Sequence, residues 1–140
     1  MSAPPRLTRN QSLVLEALTR SPEPLSAYAI LDRLRAEGMR APLQVYRALD
    51  RLLERGLVHR LDTLKAFVAC RHQHGPGENH DHGSAVLAFG ICTRCARVSE
   101  FHDSSLQAVL DGWARREGFR AERSSIEITG LCATCAAAEA

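Results

Sequence analysis

Residues 43–70 have the sequence LQVYRALDRLLERGLVHRLDTLKAFVAC, which predicts a helix followed by a β-hairpin. Apolar side chains recur at helical spacing up to Gly56, and a glycine at this place is typical of a helix end. The segments 57–62 and 66–70 are short and strand-like in composition, and the turn between them is brief, as expected for two paired strands. The fold prediction for the first half of the chain depends on this helix and hairpin.

Two more helices are predicted upstream of this stretch. Residues 7–20 carry apolar side chains at helical spacing, and the sequence SPEP that follows breaks the helix. Ser26 is a suitable N-cap for a second helix, which Gly38 would end. Three short helices followed by a hairpin predict a winged helix-turn-helix domain over residues 1–70.

The composition changes after the hairpin. Residues 71–84, RHQHGPGENHDHGS, are polar and interrupted by glycine and proline, and they predict a linker. Beyond it, 85–91 predicts a buried strand, 104–118 a helix and 119–130 further strand. Four apolar side chains of this helix are expected to face inward: Leu106, Val109, Leu110 and Trp113. The prediction is an α+β chain with a small C-terminal α/β domain at 85–140.

Four cysteines form two C-x-x-C pairs, Cys92-Thr-Arg-Cys95 and Cys132-Ala-Thr-Cys135. At this spacing two thiolates about 3.7 Å apart bind one ion at roughly 2.3 Å each, and two converging pairs complete a tetrahedral shell. Such a shell leaves no open position for catalysis, so it is typical of a structural zinc site. Because the C-terminal domain is small, zinc is expected to hold it together.

Other uses of the four cysteines stay open at this stage. Two disulfides, an iron–sulfur cluster or the reactive thiol pair of a redox enzyme can all use this spacing. The N-terminal sequence MSAPPRLTRN has no apolar signal-peptide core, and no apolar run approaches the ~18 residues of a membrane span. We therefore expect a cytoplasmic protein, in which thiols stay reduced and zinc is favoured over disulfides.

Charge is distributed unevenly along the chain. The net charge is +2, but residues 1–70 hold eleven Lys and Arg against seven Asp and Glu, whereas 71–140 hold seven against nine. The predicted winged helix is therefore the part suited to a polyanion, although a surplus of this size is also common on surfaces that bind none.

The third predicted helix carries side chains suited to reading DNA. In a helix-turn-helix this helix lies in the major groove, where an arginine can donate two hydrogen bonds to guanine, so Arg47 is the base-reading candidate. Tyr46 could pack on a sugar or a thymine methyl group, and Gln44 shares the exposed face with Arg47. Three more basic side chains are placed for phosphate contacts: Arg51, Arg60 and Lys65.

The pattern also fits a second interpretation of this helix face. Arg47 and Arg51 could form ion pairs with Asp50 and Glu54 on an ordinary solvated surface. The helical spacing by itself does not distinguish a DNA-reading face from a solvated face of ion pairs.

Five segments in order resemble the ferric uptake regulator family, and within it the zinc-responsive branch, the zinc uptake regulators. They are LTRNQSLVLEAL, LSAYAILDRLR, VYRALDRLLERGLVHRLD, GICTRCARVSEF and IEITGLCATC, and they cover nearly the whole chain. The resemblance implies a dimeric bacterial repressor with an N-terminal winged helix, a C-terminal dimerisation domain and a metal sensor site between them. It also implies that Tyr46 and Arg47 approach the DNA bases and that Tyr28 lies near DNA.

The same resemblance implies a second, regulatory zinc site. In the zinc-sensing branch its ligands are a histidine of the G-x-V-H element, a cysteine that closes the wing, a linker histidine and a glutamate after the first C-x-x-C pair. These positions fall on His59, Cys70, His82 and Glu100. One ion with ligands from both domains and the linker would hold the domains at a fixed angle.

The linker and its surroundings depart from the family pattern. The linker is longer than in many relatives, and the choice of ligand is open among its four histidines, with His80 the rival to His82: His72, His74, His80 and His82. Many members carry a histidine shortly before the I-E-I element, where this chain has Arg123 and Ser124, so a complete third site is not expected. His102 and Asp103 are unassigned potential ligands that we expect to be solvated.

The sequence thus predicts a zinc-responsive transcriptional repressor, and not an enzyme. We expect two zinc ions per chain, a homodimer and a palindromic operator as the partner, with no membrane and no small-molecule substrate. Zinc at the sensor site would select the dimer in which both winged helices meet successive major grooves, which would silence zinc-uptake genes.

Two alternatives to this function stay open. One is a family member that senses iron, nickel or peroxide, which the soft thiolate of Cys70 disfavours. The other is a zinc storage or delivery protein, in which the histidine-rich linker would be the functional element.

Overall fold

In the computed structural model the described residues are 6–71 and 86–139, and the chain divides into two units, 1–80 and 81–140. The predicted linker lies, apart from Arg71, outside the described residues, so its bounds stay a prediction. Within the described part of the chain, no helix has the length and apolar character needed to cross a membrane.

The first helix, α1 (Arg9–Arg20), begins with a reciprocal pair of hydrogen bonds. The Thr8 hydroxyl accepts from the N–H of Gln11 at 3.2 Å, and the Gln11 side chain accepts from the N–H of Thr8 at 3.0 Å. This capping box satisfies two N–H groups that helix formation leaves without helical partners. The helix therefore starts after Thr8 and not at residue 7, where the apolar spacing alone had placed it.

The second helix, α2 (Ala27–Leu34), starts at the predicted N-cap. The Ser26 hydroxyl accepts a hydrogen bond from the N–H of Ala29 at 3.1 Å. The last predicted turn of this helix is a 3-10 turn, Arg35–Glu37, and not α-helix. It ends at Gly38, whose φ of +97° lies in the left-handed region that glycine adopts without a steric penalty.

The third helix, α3 (Pro42–Glu54), has proline in its first turn, where a missing N–H has no cost. The side-chain oxygen of Gln44 accepts hydrogen bonds from the N–H groups of Arg40 and Ala41, at 2.8 and 3.1 Å. These two bonds close the turn that leads into the helix.

The hairpin that follows is formed by β1 (Val58–Leu61) and β2 (Ala66–Ala69), which pair antiparallel. Leu25, from the α1–α2 connection, forms an isolated bridge with Phe67, and their backbone groups exchange hydrogen bonds of 3.1 and 2.8 Å. The wing is thereby tied to the helices, and the predicted order of three helices and a hairpin is observed.

The core of the first unit lies between the three helices and the hairpin. Each helix contributes one apolar face, and its charged residues lie on the opposite face. Burial of aliphatic side chains, at ~1.5–3 kcal/mol each, is the main stabilising contribution to such a core. Its principal members are Val14, Leu18, Ile30, Leu31, Val45, Leu49, Leu52, Val58 and Phe67.

The second unit is built on a three-stranded sheet. β3 (Leu87–Cys92) lies between β4 (Val98–Phe101), which is antiparallel to it, and β5 (Ser125–Gly130), which is parallel. A parallel pair needs a crossover, and α4 (Ser104–Glu117) lies in the connection. The chain ends with α5 (Ala133–Ala138). The predicted α+β class, with a helical first domain and a small C-terminal sheet domain, is confirmed.

The apolar side chains of α4 differ from the prediction. Val109 is 66% exposed and Trp113 45% exposed, so their predicted inward placement is wrong for the chain by itself. Leu106 and Leu110 are half-buried. Helical spacing shows which residues share a face but not what covers that face. The helix is nevertheless joined to the sheet, because the side chain of Gln107 accepts a hydrogen bond from the N–H of Val86 at 2.6 Å.

Two elements of the second unit were not predicted from the sequence. β4 has only four residues, with half-buried Val98 and Glu100 alternating with exposed neighbours, and so short an alternation is a weak signal. α5 is an alanine-rich helix of six residues, which has no apolar periodicity. The last strand is also shorter than the predicted 119–130, since it begins at Ser125.

Leu49→Ala should lower the free energy of unfolding by about 2–5 kcal/mol, because Leu49 is 1% exposed and its truncation leaves a cavity between the helices. Chemical denaturation of the full chain, followed by circular dichroism, measures this. Leu43→Ala on the same helix is the matched control, since Leu43 is 57% exposed and its truncation should change stability little. Equal losses from the two variants would contradict the core assignment.

Candidate metal centre and nucleic-acid interface

The four C-x-x-C cysteines come together at the C-terminal ends of two parallel strands. Cys92 is the last residue of β3 and lies opposite Gly130, the last residue of β5. Cys132 follows as the N-cap of α5, and Cys135 lies within that helix. The parallel register therefore brings two cysteine pairs that are distant in sequence to the same edge of the sheet.

The spacing of the four sulfur atoms fits a single metal ion. All four lie within 4.8 Å of one another, and the Cys95 and Cys132 sulfurs are 3.8 Å apart. A tetrahedral zinc ion bound at about 2.3 Å needs sulfurs separated by about 3.7 Å. None of the four cysteines forms a disulfide in this structure. Four soft sulfur donors in this arrangement suit zinc better than calcium or magnesium.

The loop that carries the first cysteine pair is fixed by backbone hydrogen bonds. The N–H of Cys92 donates to the carbonyl of Arg97 at 2.9 Å, and the N–H of Ala96 donates to the carbonyl of Cys92 at 3.0 Å. Ala96 adopts a φ of +63°, which a tight turn requires here. Thr93 donates to the carbonyl of Gly130 through its N–H, at 2.8 Å, and through its hydroxyl, at 3.2 Å.

The thiols of the cluster differ in acidity. Hydrogen bonding from the backbone N–H of Cys95, 3.5 Å from the Cys92 sulfur, lowers the pKa of Cys92 to about 6. The backbone of Cys135 similarly lowers the pKa of Cys132. Hydrogen bonding with Cys132 raises the pKa of Cys135 to about 12. Thiolates this close together repel one another, so the four thiols do not all lose their protons easily. A divalent cation between them would offset the negative charge and favour the fully deprotonated state.

The wing of the first unit places two of the predicted regulatory ligands side by side. His59 on β1 is buried and lies opposite Val68, and Cys70 follows β2 on the same face of the hairpin. The N–H of Cys70 donates to the carbonyl of Leu57 at 2.8 Å, which extends the pairing to the end of the wing. A ring nitrogen of His59 and the sulfur of Cys70 lie within 4.8 Å of each other.

In the second unit, the other described regulatory candidate lies on β4. Glu100 is half-buried opposite Phe89, and its carboxylate is 3.4 Å from the Nε2 atom of His102. Asp103 is exposed, as expected, and it also caps α4. Its carboxylate accepts from the N–H groups of Ser105 and Leu106 at 2.7 and 3.3 Å. The sequence signal for this role was an aspartate directly before a helix start.

His72, His74, His80 and His82 all lie outside the described residues, so neither His82 nor its rival His80 has a structural assignment.

The exposed face of α3 has the side chains expected of a recognition helix. Tyr46 is 43% exposed, and Arg47 is exposed beside it. An open cleft of about 650 Å³ runs between this face and the start of α1. Within the described residues Arg47 forms no ion pair, whereas Arg51 is paired with Glu54 at 3.2 Å. The solvated-pair interpretation therefore describes Arg51 but not Arg47.

The remaining DNA candidates occupy different settings. The Gln44 side-chain oxygen is used in the turn before α3, as described above. Arg60 on the wing is paired with Asp62 at 3.2 Å. Lys65 is exposed at the tip of the hairpin with a φ of +50°, and Tyr28 on α2 is 63% exposed.

Comparison with known proteins agrees with this architecture over nearly its whole length. The chain is 38% identical over 136 residues to the zinc uptake regulation protein of Escherichia coli strain K12, which covers 96% of this chain and 75% of that protein. The same-named protein of Shigella flexneri matches equally.

Solved structures match in three dimensions as well. A zinc uptake regulator complexed with zinc and DNA superposes with a TM-score of 0.84 at 36% identity, covering 96% of this chain and 85% of that chain. The crystal structure of holo XcZur gives a TM-score of 0.81 at 39% identity, covering 94% and 87%. The sequence model of the ferric uptake regulator family matches residues 3–129. The chain therefore belongs to the ferric uptake regulator family.

Proposed function

We propose that the protein is a zinc-responsive transcriptional repressor of zinc-uptake genes. The observation that carries this proposal is its likeness, over nearly the whole chain, to a zinc uptake regulator in complex with zinc and DNA. The four-sulfur cluster and the exposed helix of the winged unit supply the two chemistries that such a regulator needs. The protein is then a regulator and not an enzyme, and its place of action is the cytoplasm, where the chromosome lies.

In this proposal α3 enters the major groove of a palindromic operator. Arg47 reads a guanine edge, because its guanidinium is exposed and not engaged by the neighbouring acids of α3. Tyr46 packs beside it, and Tyr28 contacts DNA from α2. Gln44 sets the start of α3. Phosphate contacts come from Arg51 and from the wing residues Arg60 and Lys65, although the two arginines must exchange a carboxylate partner for phosphate.

The four-cysteine cluster is assigned to structural zinc. Among its described residues, the second unit buries few large side chains, all of them from 86–92, and its C-terminal helix contributes none. A core of this size needs an additional constraint, which a bound ion supplies by joining β3 to α5 through four sulfurs. The shell is closed, so it has no position for exchange with a substrate.

A second zinc ion is assigned to the sensor site. His59 and Cys70 supply an imidazole and a thiolate from the wing, and their atoms are already close enough to share an ion. Glu100 supplies a carboxylate from β4, and a linker histidine, His82 or its rival His80, completes the set. Ligands on both units would restrict the angle between them and so favour the DNA-binding arrangement of the dimer.

The partner in the dimer is a second copy of the chain. Exposed apolar side chains of the second unit support this, since Val109 and Trp113 on α4 and Ile128 on β5 are 66%, 45% and 54% exposed. Such side chains are typical of surfaces that are covered in an assembly. A two-fold dimer presents two copies of α3, which suits the two halves of a palindrome.

The alternatives are distinguished by metal and by DNA. Sensing of iron, nickel or peroxide is not favoured by the relatives reported above, and the thiolate of Cys70 suits zinc. A zinc storage or delivery protein would bind zinc without retaining a specific DNA sequence. A single titration of DNA binding against buffered zinc, iron and nickel, with metal counted per chain, tests both alternatives.

Arg47→Ala should reduce affinity for an operator selected from random DNA in the presence of zinc. It should also relax base preference at one position of each half-site by about 1–3 kcal/mol, the discrimination that a bidentate contact provides. Fluorescence anisotropy with operators substituted at single bases measures both effects.

Lys65→Ala is the control for Arg47→Ala, because a phosphate contact carries no base information. It should weaken binding to all sequences alike. It should also lower the slope of log affinity against log salt concentration by about one, since one fewer counterion is released on binding. An Arg47→Ala protein that binds its operator as tightly as the original would reject α3 as the base-reading element.

Cys132→Ser should remove one zinc ion per chain and, with it, dimerisation and solubility. Cys132 begins α5, so its loss separates the second cysteine pair from the first. Metal counting and sedimentation measure the outcome. A stable dimer that keeps its full zinc content would show that this cluster is not the structural site.

Cys70→Ser should leave the fold and the dimer intact but remove the other zinc ion and abolish zinc-activated DNA binding. A hydroxyl has nearly the volume of the thiol but is a much weaker zinc ligand. The zinc concentration at half-maximal operator binding is the measurement, and His59→Ala and Glu100→Ala should behave alike. Comparison of His80→Ala with His82→Ala identifies the linker ligand. An unchanged midpoint in Cys70→Ser would rule out the sensor assignment.

A further inference from the structure

α5 is weakly held by its own sequence. In this helix, which the structure describes in full, none of the six residues is buried, and four of them are alanine. A helix of this length does not persist in water without tertiary contacts. The position of Cys135, which lies within it, therefore depends on whatever joins α5 to the sheet.

Arg94 and Glu139 provide one such connection. Arg94 lies between Cys92 and Cys95 in the first C-x-x-C pair, and Glu139 is the C-terminal cap residue of α5. The Nη2 atom of Arg94 donates to the Oε1 atom of Glu139 in an ion pair. Among the described residues, it is the one side-chain hydrogen bond or ion pair, cysteine sulfurs aside, that joins 133–139 to the rest of the unit.

The position of Glu139 is not explained by helix stability. A carboxylate at the C-terminal end of a helix is opposed by the partial negative charge of the last carbonyl groups. The carboxylate of Glu139 is therefore not stabilised by the dipole of α5. Its favourable interaction is with the guanidinium of Arg94, on the loop that carries the first cysteine pair.

We propose that the Arg94–Glu139 ion pair slows the loss of zinc from the four-cysteine site, an inference that rests on the structural zinc proposed above. The pair joins the far end of α5 to the loop of Cys92 and Cys95, while Cys132 lies at the near end. A chelator can take the ion only after one cysteine pair moves away from the other. That movement must also break the ion pair, so Arg94 and Glu139 act as positioning residues for the ligands.

Glu139→Gln tests this inference through the rate at which zinc leaves the protein. The measurement uses the full chain carrying Cys70→Ser, so that zinc of the proposed sensor site does not contribute. Zinc remaining after mixing with excess EDTA is counted by atomic emission. Release from Glu139→Gln should be about two- to fivefold faster, the size of effect that an exposed ion pair produces. High salt should accelerate release from the parent chain but not from this variant.

Two further variants separate charge pairing from general disturbance of the helix. Glu122→Gln removes an exposed carboxylate elsewhere in the same unit and should release zinc at the parent rate. Exchange of the charges, Arg94→Glu with Glu139→Arg, should restore slow release. Parent-like release from Glu139→Gln, or fast release from the exchanged pair, would overturn the proposal. A Cys70→Ser chain that holds no zinc would instead reject the structural site, and this inference with it.

Discussion

The pairing of β3 with β5 is the interaction on which the second unit depends. The two strands are parallel and in register from Leu87 opposite Ser125 to Cys92 opposite Gly130. Antiparallel strands would leave the two C-x-x-C pairs at opposite edges of the sheet, whereas parallel strands place both at the same edge. A shift of register by one residue would turn Cys92 to the other face of the sheet. The metal centre is thus a consequence of strand direction and register as much as of cysteine spacing.

The two units reach stability by different physical means. The first unit is stabilised by aliphatic side chains that three helices and a hairpin bury together. The second unit has few buried side chains, and α4 keeps Val109 and Trp113 exposed. Its stability therefore depends on constraints from outside its own core, which the proposed zinc at the four sulfurs and the proposed dimer contact at α4 would supply. The same dependence would make folding of this unit sensitive to zinc and to the association of chains.

The sequence predicted the elements whose signals are local. Capping residues, glycine and apolar spacing predicted the N-cap of α2 at Ser26, the end of that helical segment at Gly38 and the hairpin after Gly56. The convergence of the cysteines was predictable because two C-x-x-C pairs offer four thiolates, the number that one tetrahedral ion binds. By contrast, the exposure of Trp113 depends on what covers α4, and the role of Glu139 depends on a contact across forty-five residues of sequence. Covering by another surface and a contact between distant residues leave no periodic signal in the sequence. The sensor ligands were likewise assigned from family resemblance and not from spacing.

The donor atoms of the two proposed zinc sites suit two different tasks. Four thiolates in a closed shell would hold an ion tightly. The hydrogen bonds that Thr93 donates to the carbonyl of Gly130, and the pair of Arg94 with Glu139, join the two ligand segments. The proposed sensor set has one thiolate, from Cys70, with imidazole and carboxylate completing it. The wing already holds His59 and Cys70 close together, so the free energy of assembly would fall on the ligands from other segments of the chain. That cost would lower the affinity of the proposed sensor site for zinc relative to a closed shell of four thiolates.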